Sequence, residues 1–189
     1  MYMLYKKLSF EQLGYTEKDR LELIEYFDNQ VVPTGYGKPF YMNELTDAPA
    51  YLHKVFSLCP FLLGKMMLIK TTKDADSLAY PTRHIHIDSR PTALNIPLYE
   101  CKQGADTVFF DINDLQEFKI PVYNNSKTMF PKQGVTHPKE LGRFTLEMDS
   151  AYILDTRIPH TKIQTYEDVR FFLSLVSYTP FEEAIKHFE

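Results

Sequence analysis

Cysteine is scarce in this chain: Cys59 and Cys101 are the only two among 189 residues. Two widely spaced thiols build no disulfide framework. They read as small buried apolar residues, and a reducing compartment is the default. Clustered positive charge is missing too. No run of Lys or Arg exceeds two, and the formal net charge is -4. Nucleic acid needs concentrated basic charge, so it is excluded as the main partner. Long apolar runs are also absent. The longest, Phe61 to Ile69, is broken by Lys65 and falls far short of the roughly 20 residues that span a bilayer. The opening Met1 to Lys7 lacks the apolar core of a secretory leader. No internal repeat, low-complexity tract or linker divides the sequence. These absences predict one cytoplasmic domain over residues 1–189, without a membrane partner. They do not specify an oligomeric state.

Aromatic residues, by contrast, are plentiful. There are 14 Phe and 13 Tyr, and the hydrophobic share is 44%, which fits a β-rich globular protein. The first 60 or so residues read as helical. Thr16 to Phe27 opens with Thr16 as N-cap and Asp19 three residues on, with Leu21, Ile24 and Phe27 as its apolar stripe. Asp47 to Phe56 is a second helix with Pro49 in its first turn. Val31 to Phe40, with two Pro and two Gly, reads as a loop. From Phe61 to Tyr178 strands take over. Gly64–Thr71, Thr82–Asp88, Thr92–Tyr99, Ala105–Asp111, Arg143–Met148, Ala151–Leu154 and Val169–Tyr178 are expected strands. Pro121 to Leu141 is polar, holds three Pro and reads as a long loop bordering a site. Phe181–Phe188 reads as a short closing helix. Helices first and many short strands afterwards fit a helix-buttressed antiparallel sandwich.

The chemistry concentrates at His84-Ile85-His86-Ile87-Asp88. Residues two apart on a strand share a face, so His86 and Asp88 can grip one ion while Ile85 and Ile87 pack behind. His160, after Pro159, supplies a second imidazole from a distant strand. Two imidazoles and a carboxylate form the facial triad that suits Fe(II) and leaves coordination positions open. Ten residues past His160 stands Arg170, in a strand that is otherwise almost wholly apolar. A buried guanidinium without an anion is costly, and its planar fork suits a carboxylate. Arg170, Phe172, Ser174 and Val176 share one strand face.

This H-x-D, distant His and late Arg resemble the Fe(II)/2-oxoglutarate-dependent oxygenases, over roughly Lys65 to Tyr178. The stretch His86 to Asp88, then Ala93 to Pro97, looks most like the aspartyl/asparaginyl β-hydroxylase-like and small phage-type branches. The resemblance implies a double-stranded β-helix, or jelly roll. It implies Fe(II) on His86, Asp88 and His160, and 2-oxoglutarate as co-substrate with O₂, its far carboxylate held by Arg170. Asn95, Thr107 and Ser174 are its further candidate contacts. Many relatives carry R-x-S, whereas here Phe172 stands two after Arg170 and Ser174 two later. The implied reaction is hydroxylation of a peptidyl side chain or a small metabolite. Tyr80, Arg83, Arg90 and Arg157 are candidates for the substrate entrance, where they would suit an anionic group.

Two other readings stay open at this point. His84-x-His86 could be the metal pair of a cupin-type enzyme that uses no 2-oxoglutarate. A non-catalytic β-sandwich binding module is the second.

Overall fold

A computed structural model describes residues 3–28, 37–45, 47–63, 65–71, 85–99, 101–118 and 127–189. In chain order the strands are β1 (Tyr5–Ser9), β2 (Gly37–Tyr41), β3 (Lys65–Thr71), β4 (His86–Ile87), β5 (Thr92–Tyr99) and β6 (Ala105–Phe110). They continue with β7 (Leu115–Phe118), β8 (Lys127–Pro131), β9 (Glu140–Thr145), β10 (Ser150–Asp155), β11 (His160–Gln164) and β12 (Arg170–Ser177). The α-helices are α1 (Glu17–Asp28), α2 (Ala50–Leu58) and α3 (Phe181–Ala184). Among the described residues the strands form two antiparallel six-stranded sheets, ordered β1-β10-β5-β12-β3-β2 and β7-β8-β4-β11-β6-β9. They make a jelly roll.

The larger sheet is covered on both faces, which is why its central strands read as continuous apolar runs rather than alternating ones. On the outer face, Phe171, Leu173 and Leu175 of β12 join Leu94, Ile96 and Leu98 of β5 in one core cluster. Leu23 and Phe27 of α1, Tyr51, Leu52 and Val55 of α2, and Phe181 of α3 close over it. On the inner face, Tyr152, Leu154 and Phe172 meet Phe109 and Phe144 of the smaller sheet. This second cluster fills one end of the space between the sheets. A cavity occupies the rest.

The helix at α1 forms where the capping pattern placed it. The Thr16 N–H donates to Asp19 Oδ2 at 2.8 Å, and the Asp19 N–H donates back to Thr16 Oγ1 at 3.2 Å, a reciprocal box that satisfies free N–H groups of the first turn. Its buried stripe is shifted from expectation. Leu23 is buried, whereas Leu21 is 53% exposed. The side chain of Arg20 sets that rotation, because its Nη1 donates to the Leu98 carbonyl at 2.7 Å and pins the helix to β5.

The structure adds strands where the sequence reading had none, at β1, β2, β7 and β8. Gly37–Tyr41, read as loop, is an edge strand, and an edge is where Pro39 costs no ladder hydrogen bond. The early residues therefore contribute β1 and β2 to the larger sheet as well as two helices. Pro121–Leu141, read as one long loop, contains β8, which lies between β7 and β4. The signal there was weak: Met129 alone of the strand is buried, and Pro131 closes it. Residues 121–126 of that stretch lie outside the described residues.

Candidate active site

The register of the ladders brings the metal-capable side chains together. β11 pairs with β4 so that His160 faces His86 directly. The two rings lie 4.4 Å apart between centroids. Asp88 follows two residues after His86, and its N–H donates to the Thr156 carbonyl at 3.0 Å. That bond ties the end of the motif to the turn between β10 and β11. His86 Nε2 lies 3.8 Å from Asp88 Oδ1, and His160 Nε2 lies 3.9 Å from Asp88 Oδ2. One ligand atom from each of the three falls within 4.8 Å of the others.

His160 is poised as a neutral ligand. Its Nδ1 is 2.9 Å from the Ile158 carbonyl. A carbonyl only accepts, so Nδ1 carries the hydrogen and Nε2 keeps a lone pair aimed at the cluster. Burial, and then the neighbouring His86, holds this imidazole well below its usual pKa range against the pull of Asp88. The donor set, two imidazole nitrogens and one carboxylate on one side, fits a divalent transition metal with positions left open.

A cavity of about 230 Å³ opens beside the triad. Its lining includes His86, Asp88 and His160 from the smaller sheet, and Asn95 and Ser174 from the larger. Asn95 and Ser174 face each other in the β5–β12 ladder. Thr107 lines the cavity from β6. The residues singled out from the sequence thus converge, Arg170 in its own fashion. Its side chain is 1% exposed. It does not line the cavity; its guanidinium stacks on the ring of Phe172, 4.6 Å from the centroid, and Phe172 does line it. Among the described residues, Nε, Nη1 and Nη2 of Arg170 have no hydrogen-bond partner, and neither has Oδ1 of Asn95. Orphaned buried polar atoms are expensive to maintain without a ligand.

Sequence reasoning missed Lys162. It sits two residues after His160, lines the same cavity, and its Nζ lies 5.4 Å from the Phe172 ring centroid. Burial, and then the Arg170 guanidinium, pushes its ammonium down to about 8, with Asp88 pulling the other way. The signal was available: in a β11 that begins with a metal-capable His, position +2 shares its face. The other entrance candidates divide. Arg90 lines the cavity. Arg157 does not; its Nη2 bridges the buried Asp155 and Glu182, each at 2.7 Å. A buried carboxylate two residues away captures that guanidinium before it can reach the site. Tyr80, Arg83 and His84 lie outside the described residues. The two thiols are buried as expected, and burial raises Cys59 to about 12.

No protein-family model and no curated protein sequence matches the chain. Solved structures do. The Fe(II)/α-ketoglutarate-dependent dioxygenase TqaL matches at 14% identity and TM-score 0.51, over 93% of this chain and 82% of that one. A Pseudomonas putida prolyl-4-hydroxylase matches at 9% identity and TM-score 0.43, over 93% and 92%. The epimerase SnoN, solved with Fe3+, α-ketoglutarate and nogalamycin RO, matches at 14% identity and TM-score 0.45, over 91% and 77%. The match to TqaL shows that the chain shares that dioxygenase's fold, and its His-Asp-His cluster opens onto the cavity between the two sheets.

Proposed function

We propose that this protein is an Fe(II)- and 2-oxoglutarate-dependent oxygenase that hydroxylates an organic substrate, either a peptidyl side chain or a small metabolite. One observation carries the reading. A triad of metal-capable side chains shares a cavity with Lys162, and a buried Arg170 with no anionic partner among the described residues adjoins it. A cupin-type enzyme has no use for that arginine.

His86, Asp88 and His160 would hold the iron, and Asp88 would stay ionised beside it. When bound, iron and 2-oxoglutarate together with O₂ supply the oxidising power that acts on an unreactive C–H bond. The chain's own work is placement. Lys162 offers the co-substrate's far carboxylate an ammonium within the cavity. Arg170 adds a second positive charge across the Phe172 ring. The orphaned Asn95 Oδ1, with Ser174 opposite it and Thr107 on the facing sheet, supplies polar contacts along the chain of the co-substrate. The aromatic cluster of Phe109, Phe144 and Tyr152 keeps water from that end, which strengthens each charged contact.

The test is direct. Purified protein is given Fe(II) and 2-oxoglutarate, and succinate is measured beside the metal content. Metal-dependent succinate formation that disappears in Asp88→Ala is the expected result. A protein that binds metal at one equivalent yet neither binds nor consumes 2-oxoglutarate would return the cupin-type reading.

A further inference from the structure

The charge around the cavity is unbalanced beyond what metal and co-substrate can answer. Lys65, Arg90 and Lys162 all line it, Arg170 adjoins it, and Asp88 is the one carboxylate among its described lining residues. This imbalance sits in a chain of net charge -4, so it is local. A dicarboxylate would answer Lys162 and Arg170. A divalent ion would more than cancel Asp88. Lys65 and Arg90 would remain.

The ladders put these two at the other end of the cavity. On β3, Lys65, Met67 and Ile69 line it in turn, and Arg170 lies opposite Thr71. Six residues of strand therefore separate Lys65 from the level of Arg170, about 20 Å at ~3.3 Å per residue. Arg90 comes two residues after Asp88, on the side of the triad away from Lys162. Its backbone is fixed there: Thr156 Oγ1 donates to its carbonyl, and the Thr156 N–H donates to the Pro91 carbonyl at 3.0 Å. The triad thus stands between two pairs of cations.

Neither Lys65 nor Arg90 is neutralised by a carboxylate among the described residues. Among the described residues neither forms an ion pair. Lys65 Nζ rests 5.4 Å from the centroid of Tyr41, and the Arg90 guanidinium 5.9 Å from that of Tyr178. Arg90 Nε is buried with no hydrogen-bond partner among the described residues. Ring faces hold a cation in place without neutralising it. An oxyanion between the two would meet a planar fork and a flexible point charge, a pairing suited to carboxylate or phosphate.

We infer that Lys65 and Arg90 form a recognition site for an anionic group, a carboxylate or a phosphate ester, on the molecule to be oxidised. This rests on the oxygenase reading, which assigns the inner pair of cations to 2-oxoglutarate. The primary substrate is therefore an acid, held by its charge at the Lys65–Arg90 end of the cavity while the bond to be attacked lies over the triad.

The experiment begins by measuring Mn(II) and 2-oxoglutarate binding in the wild type, Lys65→Gln, Arg90→Gln and the double variant by calorimetry. The loaded proteins are then titrated with inorganic phosphate, reading its ³¹P relaxation by the bound manganese, and with acetate and acetamide, reading ¹³C relaxation. Lys139→Gln, remote from the cavity, is the control. Saturable relaxation of phosphate or acetate is expected in the wild type and the control, with acetamide silent. Each single variant should weaken the anion roughly tenfold, the equivalent of about 1.4 kcal/mol, and the double variant should abolish the effect with Mn(II) and 2-oxoglutarate affinities kept. Equal relaxation in the double variant, or none by either anion in the wild type, would overturn the inference and leave the oxygenase reading intact. Should the wild type fail to bind Mn(II) or 2-oxoglutarate, that reading falls. The anion titration is then read by calorimetry on the unloaded protein, and binding indifferent to the Lys65 and Arg90 substitutions overturns the inference as well.

Discussion

His160 and Asp88 differ in how much of their role the surroundings dictate. The imidazole is 6% exposed, and its Nδ1 is committed to a backbone carbonyl; the carboxylate is part-exposed and carries the only negative charge of the triad. Asp88→Ala should therefore leave the fold intact and lower Mn(II) affinity by two orders of magnitude or more, read by calorimetry, with an unchanged thermal midpoint for the metal-free protein. Asp88→Asn keeps the shape and should lose most of the same affinity, because charge is what is removed. At the far end, Lys162→Met and Arg170→Met are each expected to weaken 2-oxoglutarate binding to the Mn(II)-loaded protein, by up to ~3 kcal/mol for a contact to a desolvated charge. Lys162→Met should cost more, since Lys162 lines the cavity whereas Arg170 does not and stacks on the Phe172 ring. Arg170→Met should raise the stability of the unliganded protein, because it removes an unanswered buried cation; chemical denaturation checks the sign.

Among the elements, α1 and β12 were plain in the sequence, and β1, β2, β7 and β8 were not. The difference is physical. β12 is covered on both faces and all eight residues are buried, so its apolar run had no competing reading except at Arg170. β2 and β8 carry Pro39 and Pro131, and β7 buries only Leu115; strands that short are stabilised by neighbours, which periodicity does not register. The same divide runs through the site. The clustering of His86, Asp88 and His160 was legible from spacing, because two-residue alternation and a distant histidine leave a mark. Lys65 required the pairing of strands far apart in the chain, whereas Lys162, two residues after His160, and Asp155, two before Arg157, were within reach of local alternation. Two element-level outcomes follow. Thr16→Ala removes one half of the α1 capping box and should cost about 1 kcal/mol. Leu173→Ala opens a void between β12 and the helices, where Leu173 is 0% exposed, and should cost ~2–5 kcal/mol. Urea denaturation resolves both.

For the whole molecule, alkali is the sharpest probe of how the helices seat on the larger sheet. Among the described residues the buried hydroxyls of Tyr15 and Tyr51 have no hydrogen-bond partners, and their rings are 4.6 Å apart. Burial raises both phenols far above the ordinary value of 10.0, and it raises Cys59 from 9.0 to about 12. An acid whose folded pKa is raised keeps its proton in the native state after the unfolded chain has lost it. Stability should then be level below about pH 9 and fall as pH climbs through 9 and 10. Tyrosine absorbance should rise in two stages, the second coinciding with loss of the far-ultraviolet signal. By the same token, Cys59 and Cys101 should resist alkylation until the protein unfolds. The two walls of the cavity also belong to different clocks. β12 lies inside the larger sheet between β5 and β3, whereas the described part of β4 is the two residues His86 and Ile87. Amides of Phe172 and Ser174 should exchange with solvent only on global opening, while those around His86 exchange through local excursions. Such excursions would let a bound ion be replaced within the lifetime of a single folded molecule, so a chain that once acquired the wrong divalent metal need not unfold to correct it.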